Sequence, residues 1–85
     1  MKRVELTAPV FHSTRILISR WTVADGQRVS PEMILCEFDL DSPFGHQMIQ
    51  CTCEYESTHA GIIRHLVPEG YNLELGQVFG WIEVD

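Results

Sequence analysis

The chain has 85 residues, of which 45% are hydrophobic, and a net charge of −6 from 12 acidic and 6 basic residues. This length allows one small domain over residues 1–85, and the apolar content is that of a globular protein. The acidic balance argues against a nucleic-acid partner or a charged membrane surface, and no apolar run reaches the roughly 20 residues of a membrane span.

The N-terminal residues and the cysteines indicate the compartment. The first ten residues contain no apolar segment of signal-peptide length. Three cysteines are an odd number, which does not suggest a disulfide framework. We therefore expect a cytoplasmic protein.

The N-terminal third predicts short strands. Val4 to Leu6 indicates a first strand that stops at Pro9, and residues 10–14 indicate a loop. Arg15 to Val23 is rich in β-branched and aromatic residues and predicts a second strand. Its apolar residues fall on both faces, which is typical of a strand that twists between two sheets. The turn 24–26 follows.

The middle of the chain predicts a hairpin. From Met33 to Asp41 apolar and acidic residues alternate, which indicates a half-buried strand. The run 42–45, Ser-Pro-Phe-Gly, predicts the turn. The next strand alternates in the same way. The two predicted inner faces are Ile34, Cys36, Phe38 and Leu40 in the first strand and Ile49, Cys51, Cys53 and Tyr55 in the second.

The last third repeats the layout of the first half. Residues 60–67 and 77–84 are apolar runs separated by a turn at Pro68-Glu69-Gly70, and a shift of 44 (70 − 26 = 44) lays Gly70 on Gly26. The same shift lays Ile62 on Ile18. Because neither half can bury its apolar face alone, we expect the two halves to pack face to face around a pseudo-two-fold axis.

These motifs resemble lipoyl and biotinyl carrier domains. The first half has Trp21-x-Val23-x-x-Gly26-x-x-Val29 followed by acidic residues at the end of a strand, as in that family. The second half matches more closely, and its matching residues are Ala60-Gly61, Ile63, Val67, Gly70, Leu73, Gly76-Gln77 and Ile82-Glu83. The resemblance implies an all-β fold: a flattened barrel-sandwich of two short antiparallel sheets with an internal pseudo-two-fold repeat and, here, an extended central hairpin.

The functional expectation comes from a departure from this family. Carrier domains attach biotin or lipoic acid to a lysine at a hairpin tip, and the corresponding position here is Ser42, which has no amine. The only lysine is Lys2, which we do not expect to be an attachment site. The resemblance therefore implies the carrier fold without carrier chemistry, and no bound cofactor.

Other chemistry is open at two places. Cys51 and Cys53, with Cys36 across the hairpin and His46 near its tip, suggest a zinc site, but core packing is the stronger explanation, because free cysteines are among the most buried residues. Ser42 and His46 with Asp41 suggest a hydrolase, but nothing in the sequence resembles a nucleophile elbow.

We therefore expect a non-catalytic docking or assembly module that meets an unknown protein partner through the hairpin from Asp41 to Gln50. Phe44, an aromatic residue beside Pro43 on a turn, is the predicted contact, with Asp41 and His46 beside it. The alternatives are a prosthetic-group carrier with an unusual attachment site, and a small metal-binding domain. A homodimer through edge strands is also compatible with so short a chain.

Overall fold

Eight β-strands form two antiparallel four-stranded sheets in residues 2–8 and 15–84, which are the residues that the computed structural model describes. The side chains of four of these lie outside the description: Ser42, Pro43, Phe44 and Met48. The strands are β1 (Lys2–Thr7), β2 (Arg15–Trp21), β3 (Arg28–Val29), β4 (Ile34–Phe44), β5 (Gln47–Glu56), β6 (Gly61–His65), β7 (Asn72–Leu73) and β8 (Val78–Val84). Sheet A has the order β1-β8-β6-β3, and sheet B has the order β5-β4-β2-β7. The predicted all-β class is confirmed, while Pro9 and the predicted loop at 10–14 lie outside the described residues.

The two sheets do not close into a barrel. Every strand pair of the described residues lies within one sheet, and the edge strands β3 and β7 have only two residues each. Such short edges cannot carry a ladder from one sheet to the other. The predicted sandwich of two short antiparallel sheets is confirmed, and the sheets stay open at their edges.

The core between the sheets is centred on three aromatic rings. Phe79 of β8 meets Phe38 of β4 and Tyr55 of β5 edge-on, with ring centroids 5.3 Å apart in both pairs. Edge-to-face pairs of this kind add about 0.5–1.5 kcal/mol to the burial of the rings themselves. Phe38 and Phe79 are less than 2% exposed, and Tyr55 is half-buried. The remaining side chains that are less than 2% exposed are Ile18, Val29, Leu35, Cys36, Ile63 and Ile82. These residues come from both halves of the chain, so neither half has a core of its own.

The internal repeat is present at the level of single hydrogen bonds. Gly26 and Gly70 have φ angles of +84° and +83°. The N–H of Gly26 donates to the carbonyl of Ile63 at 2.8 Å, and the N–H of Gly70 donates to the carbonyl of Ile18 at 2.7 Å. Each half therefore binds the turn of the other half.

The two halves are related by a half-turn, because each half donates an equivalent hydrogen bond to the other. The backbone N–H of Trp21 donates to the carboxylate of Glu69 at 2.9 Å, and the N–H of His65 donates to the carboxylate of Asp25 at 2.8 Å. Both donors and both acceptors differ by 44 in number (65 − 21 and 69 − 25). An operation that exchanges the two halves in this way is a two-fold rotation, as the repeat predicted.

A β-bulge explains why the apolar residues of β2 fall on both faces. The register between β2 and β4 shifts by one residue between Ile18 and Arg20, so Ser19 is the extra residue. Before the bulge the repeat offset is therefore 45 (63 − 18), and Ile63 rather than Ile62 is the counterpart of Ile18. Both Ile18 and Ile63 are 0% exposed.

A second bulge corrects the predicted inner face of β4. The pairing of β4 with β5 passes from Ile34–Glu56 to Cys36–Tyr55, which leaves Leu35 between the two pairs. A bulge places two residues against one and changes the alternation. As a result Leu35 is fully buried beside Cys36, and Ile34 is only half-buried.

The turn of the central hairpin lies further along the chain than the sequence predicted. β4 continues through Ser42 and Pro43 to Phe44, and the two-residue turn is Gly45-His46. The last residue of β4 that pairs with β2 is Asp41. Because β4 has no neighbour on that side after Asp41 among the described residues, the missing N–H of Pro43 costs no hydrogen bond to β2.

Candidate functional site

The candidate surface is the end of the central hairpin, residues 41–50, which we call the hairpin extension. The β1–β8 ladder begins at Lys2–Val84, and the matching pair in sheet B is Cys51–Leu40. Beyond Leu40 the β4–β5 ladder continues for four more pairs: Asp41–Gln50, Ser42–Ile49, Pro43–Met48 and Phe44–Gln47. These pairs add roughly 13 Å of ladder at about 3.3 Å per residue. None of their described side chains belongs to the hydrophobic core.

The base and the tip of the extension are fixed in different ways. At the base, the Arg15 Nε atom lies 3.2 Å from the Asp41 carboxylate. At the tip, Gly45 has φ +64°, which is the conformation that the first central position of a type II′ hairpin turn requires. Between them Gln47, Ile49 and Gln50 are exposed, and Ile49 keeps 40% of its surface in solvent.

The predicted partner-contact residues all lie on this extension. Asp41 is at its base and ion-paired with Arg15, and His46 is exposed in the turn. Pro43 and Phe44 occupy the last two positions of β4, opposite Met48 and Gln47. The structure thus brings the predicted contacts onto one element, although Phe44 lies in the strand and not in the turn itself.

Ser42 does not lie at the tip. Its backbone pairs with Ile49 inside the ladder, and the turn begins three residues later at Gly45. The single lysine, Lys2, starts β1 opposite Val84. No amine therefore stands at the hairpin turn, which consists of a glycine and a histidine.

The residues of the suggested hydrolase site lie on different parts of the hairpin. Ser42 lies within the strand, whereas His46 lies in the turn. The Asp41 carboxylate contacts the guanidinium of Arg15.

The suggested metal ligands are spread along the hairpin. Cys36 pairs with Tyr55, Cys53 pairs with Phe38 and Cys51 pairs with Leu40. Eight residues of strand, about 26 Å, separate Cys36 from the end of β4 next to His46. Zinc–ligand bonds are about 2.0–2.3 Å long. Among the described residues no three His, Cys, Asp or Glu side chains are close enough to hold a metal ion.

The three thiols also differ in environment. Cys36 is buried, and burial together with the neighbouring Glu37 carboxylate raises its pKa to about 12. A thiol with so high a pKa is a poor nucleophile near neutral pH. Cys53 is half-buried against the core, but Cys51 is exposed. The prediction that all three cysteines lie against the core is therefore wrong for Cys51, because β5 is an edge strand that continues past the sandwich.

An acidic row crosses the outer face of sheet B next to the extension. Its members on β4 and β5 are Glu37, Asp39, Asp41, Glu54 and Glu56. Arg20 Nε lies 2.9 Å from the Glu37 carboxylate, and Asp39 accepts a hydrogen bond from the Thr52 hydroxyl at 3.0 Å. The side-chain carboxylates of Glu54 and Glu56 have no hydrogen bond or ion pair within residues 2–8 and 15–84. The negative charge is thus least compensated on β5.

Sequence reasoning missed a second feature, at the pseudo-two-fold axis. The rings of Trp21 and His65 stack there, and Trp21 Nε1 donates to the carbonyl of Val67 at 3.0 Å. His65 Nε2 is buried and has no hydrogen-bond partner. The repeat alignment already placed position 21 on position 65, and this was the signal that could have identified the pair.

Comparisons with protein-family models, with curated proteins and with solved structures find no match to this chain. Within the described residues there is also no helix with the length and apolar character of a membrane span.

Proposed function

We propose that this chain is a non-catalytic docking or assembly module, a lipoyl/biotinyl-like domain that carries no prosthetic group, and that the hairpin extension is its partner surface. The observation that carries the proposal is the four-pair ladder beyond Leu40, in which no described side chain joins the hydrophobic core. Among the described residues these pairs have no third strand beside them, and an isolated two-stranded hairpin is marginally stable. The described side chains of the extension lie outside the core and are available for contact with a partner.

Two further observations support a non-carrier role. The position that corresponds to the carrier lysine is Ser42, whose side chain cannot form an amide. The hairpin turn itself, Gly45-His46, also lacks an amine. The fold in this proposal is a rigid frame that presents a ribbon, and it needs no cofactor. The three free cysteines favour a reducing compartment, and we place the protein in the cytoplasm.

The test is a variant with a shortened hairpin. Asp41 and Gln50 are directly opposite each other, so a two-residue Asn-Gly turn in place of residues 42–49 closes the ladder at that pair. We expect this variant to keep its thermal unfolding midpoint within a few degrees, because none of the described core side chains lies in 42–49. Chemical crosslinking in cells of the source organism, followed by mass spectrometry, should recover a partner with the full chain and lose it with the shortened one.

Point variants make the test specific. Phe44→Ala should reduce recovery of the same partner. Leu75→Ala is the matched control, because Leu75 is a large apolar residue that is 63% exposed and lies outside the hairpin. If the shortened variant recovers the same proteins as the full chain, the extension is not the docking surface. A biotinyl or lipoyl adduct in the intact mass of the native protein would instead establish a carrier.

A further inference from the structure

The outer edge of β5 is the longest open strand edge in the described part of the fold. β5 is the first strand of sheet B and pairs only with β4. It has ten residues, whereas the other edge strands have six (β1) and two (β3 and β7). A free edge offers a row of backbone N–H and C=O groups to another strand.

This edge lacks two of the usual protections against strand pairing. Edge strands are commonly protected by proline or lysine, and Gln47–Glu56 contains neither. The register shift in the β4–β5 ladder lies at Ile34 to Cys36, so the rest of the edge is regular. β5 therefore presents a continuous template from the hairpin tip to the body of the domain.

The charge of the edge indicates which strand fits it. Glu54 lies directly opposite Glu37 across the ladder, and Arg20 pairs with Glu37 but not with Glu54. Glu54 and Glu56 are exposed, and because they are two residues apart they lie on the same face of the sheet. Opposite charges on neighbouring strands stabilise pairing, and like charges weaken it. An incoming strand with basic side chains at alternate positions would give these two glutamates the partners that they lack.

We propose that the outer edge of β5 binds, by strand addition, an extended segment of a partner protein that carries lysine or arginine at alternate positions. This inference rests on the docking function proposed above and names the chemistry of the partner. Main-chain hydrogen bonds supply affinity in this mode of recognition, and the side chains supply specificity. The same carboxylates disfavour pairing of two β5 edges wherever the glutamates meet. The other long edge, β1, begins with Lys2 and Arg3 and is expected to repel such a segment.

The probe is an acetylated, amidated hexapeptide that alternates lysine with valine or threonine, added to the ¹⁵N-labelled full chain. We expect the amide resonances of residues 50–56 to shift, with those of β1 unchanged, and we expect nuclear Overhauser contacts between peptide and β5 amides. Affinity should fall at high salt, since the carboxylates are exposed. An otherwise identical peptide with glutamate in place of lysine should leave β5 unperturbed.

Charge reversal provides the decisive comparison. The double variant Glu54→Lys with Glu56→Lys should lower the affinity for the basic peptide by about tenfold or more and should allow the acidic peptide to bind. Glu5→Lys with Glu74→Lys makes the same change in net charge outside β5 and should leave binding of the basic probe unchanged. Equal binding of both probes by the native chain, or shifts that map to β1, would overturn the inference. A dimer formed through β5 in sedimentation would do so as well, because a second copy would then occupy the edge.

The same variants separate this inference from the docking function. Suppose that a cellular partner is lost with the shortened hairpin and is still recovered with the Glu54→Lys, Glu56→Lys double variant. This result would support docking through the hairpin and contradict strand addition at β5. A partner that is retained by the shortened hairpin contradicts the docking proposal itself.

Discussion

Trp21 stacks on His65 with their ring centroids 3.8 Å apart and their planes 11° apart. The two residues are equivalent in the internal repeat, so the stack lies on the pseudo-two-fold axis that relates the two halves. Each residue also donates its backbone N–H to a carboxylate in the turn of the other half, Trp21 to Glu69 and His65 to Asp25. One ring pair and two reciprocal hydrogen bonds therefore join the halves at the axis.

The two reciprocal bonds should contribute equally to stability. We expect Asp25→Ala and Glu69→Ala each to lower the free energy of unfolding by about 1 kcal/mol, because each leaves one backbone N–H without its acceptor. In a domain of this size that corresponds to roughly 4–8 °C in the unfolding midpoint. Asp25→Asn and Glu69→Gln keep an acceptor oxygen and should cost less. Urea denaturation of the four single variants provides the measurement.

The double variant tests whether the two bonds act as one unit. Because both bonds hold residues of the same ring stack, Asp25→Ala and Glu69→Ala should show a coupling energy of about 0.5 kcal/mol or more in a double-mutant cycle. Strict additivity would mean that the two turns are held independently and that the stack does not link them.

The sequence was sufficient for the strands and for the repeat because both depend on local periodicity. Alternation in 33–41 and 49–56 identified the hairpin, and the turn glycines Gly26 and Gly70 aligned the halves. The bulges at Ser19 and Leu35 were not predictable, since a bulge depends on which residue of a neighbouring strand lies opposite. The turn was misplaced for a similar reason: Pro43 is typical of a turn, but it lies in β4 beyond Asp41, which is the last β4 residue with a described partner in β2.

Much less of the site followed from sequence. The extra length of the hairpin was visible, and the structure shows that its ladder continues for four pairs beyond Leu40. The open edge of β5 was not predictable, because an edge is defined by the strand order of the whole sheet. Similarly, the unpaired charge of Glu54 and Glu56 depends on where Arg15 and Arg20 point after folding.

The stack should make stability depend on pH. Burial lowers the pKa of His65, and this effect outweighs the opposing effects of Asp25, a backbone hydrogen bond to Val23, and Glu69. In the unfolded chain a histidine takes up its proton near pH 6.5. The unfolded state therefore binds more protons than the native state as the pH falls below that value. The contribution of neutral His65 is fully present above about pH 6.5 and is lost as the pH falls through its lower native pKa.

We therefore expect the unfolding midpoint to fall by a few degrees between about pH 7.5 and pH 5.5. His65→Phe retains a flat ring against Trp21 and cannot titrate, so its midpoint should change less over the same range. His46→Gln, at the far end of the hairpin, is the matched histidine control and should behave like the native chain. An equal pH dependence in native protein and His65→Phe would show that His65 does not determine it.

Glu32 and Gly76 provide a comparison that only a repeat offers. They are equivalent (76 − 32 = 44), and their φ angles are +71° and +76°. Each occupies the third position of a turn that a backbone hydrogen bond closes. The N–H of Met33 donates to the carbonyl of Ser30 at 3.2 Å, and the N–H of Gln77 donates to the carbonyl of Glu74 at 3.0 Å. Positive φ at this position is the mark of a type II turn, for which glycine is preferred. The first turn therefore holds a glutamate in a conformation that is strained for any residue with a Cβ.

Replacing Glu32 by glycine should stabilise the protein. We expect Glu32→Gly to raise the free energy of unfolding by about 0.5–1 kcal/mol, since relief of the positive φ outweighs the greater flexibility of glycine in the unfolded chain. Gly76→Ala should lower it by a similar amount, because a Cβ there meets no atom within 4 Å and only the backbone conformation opposes it. Glu32→Gln removes the charge without changing the backbone preference and should be neutral. If Glu32→Gly were no more stable than Glu32→Gln in urea denaturation, the backbone of Glu32 would not be strained.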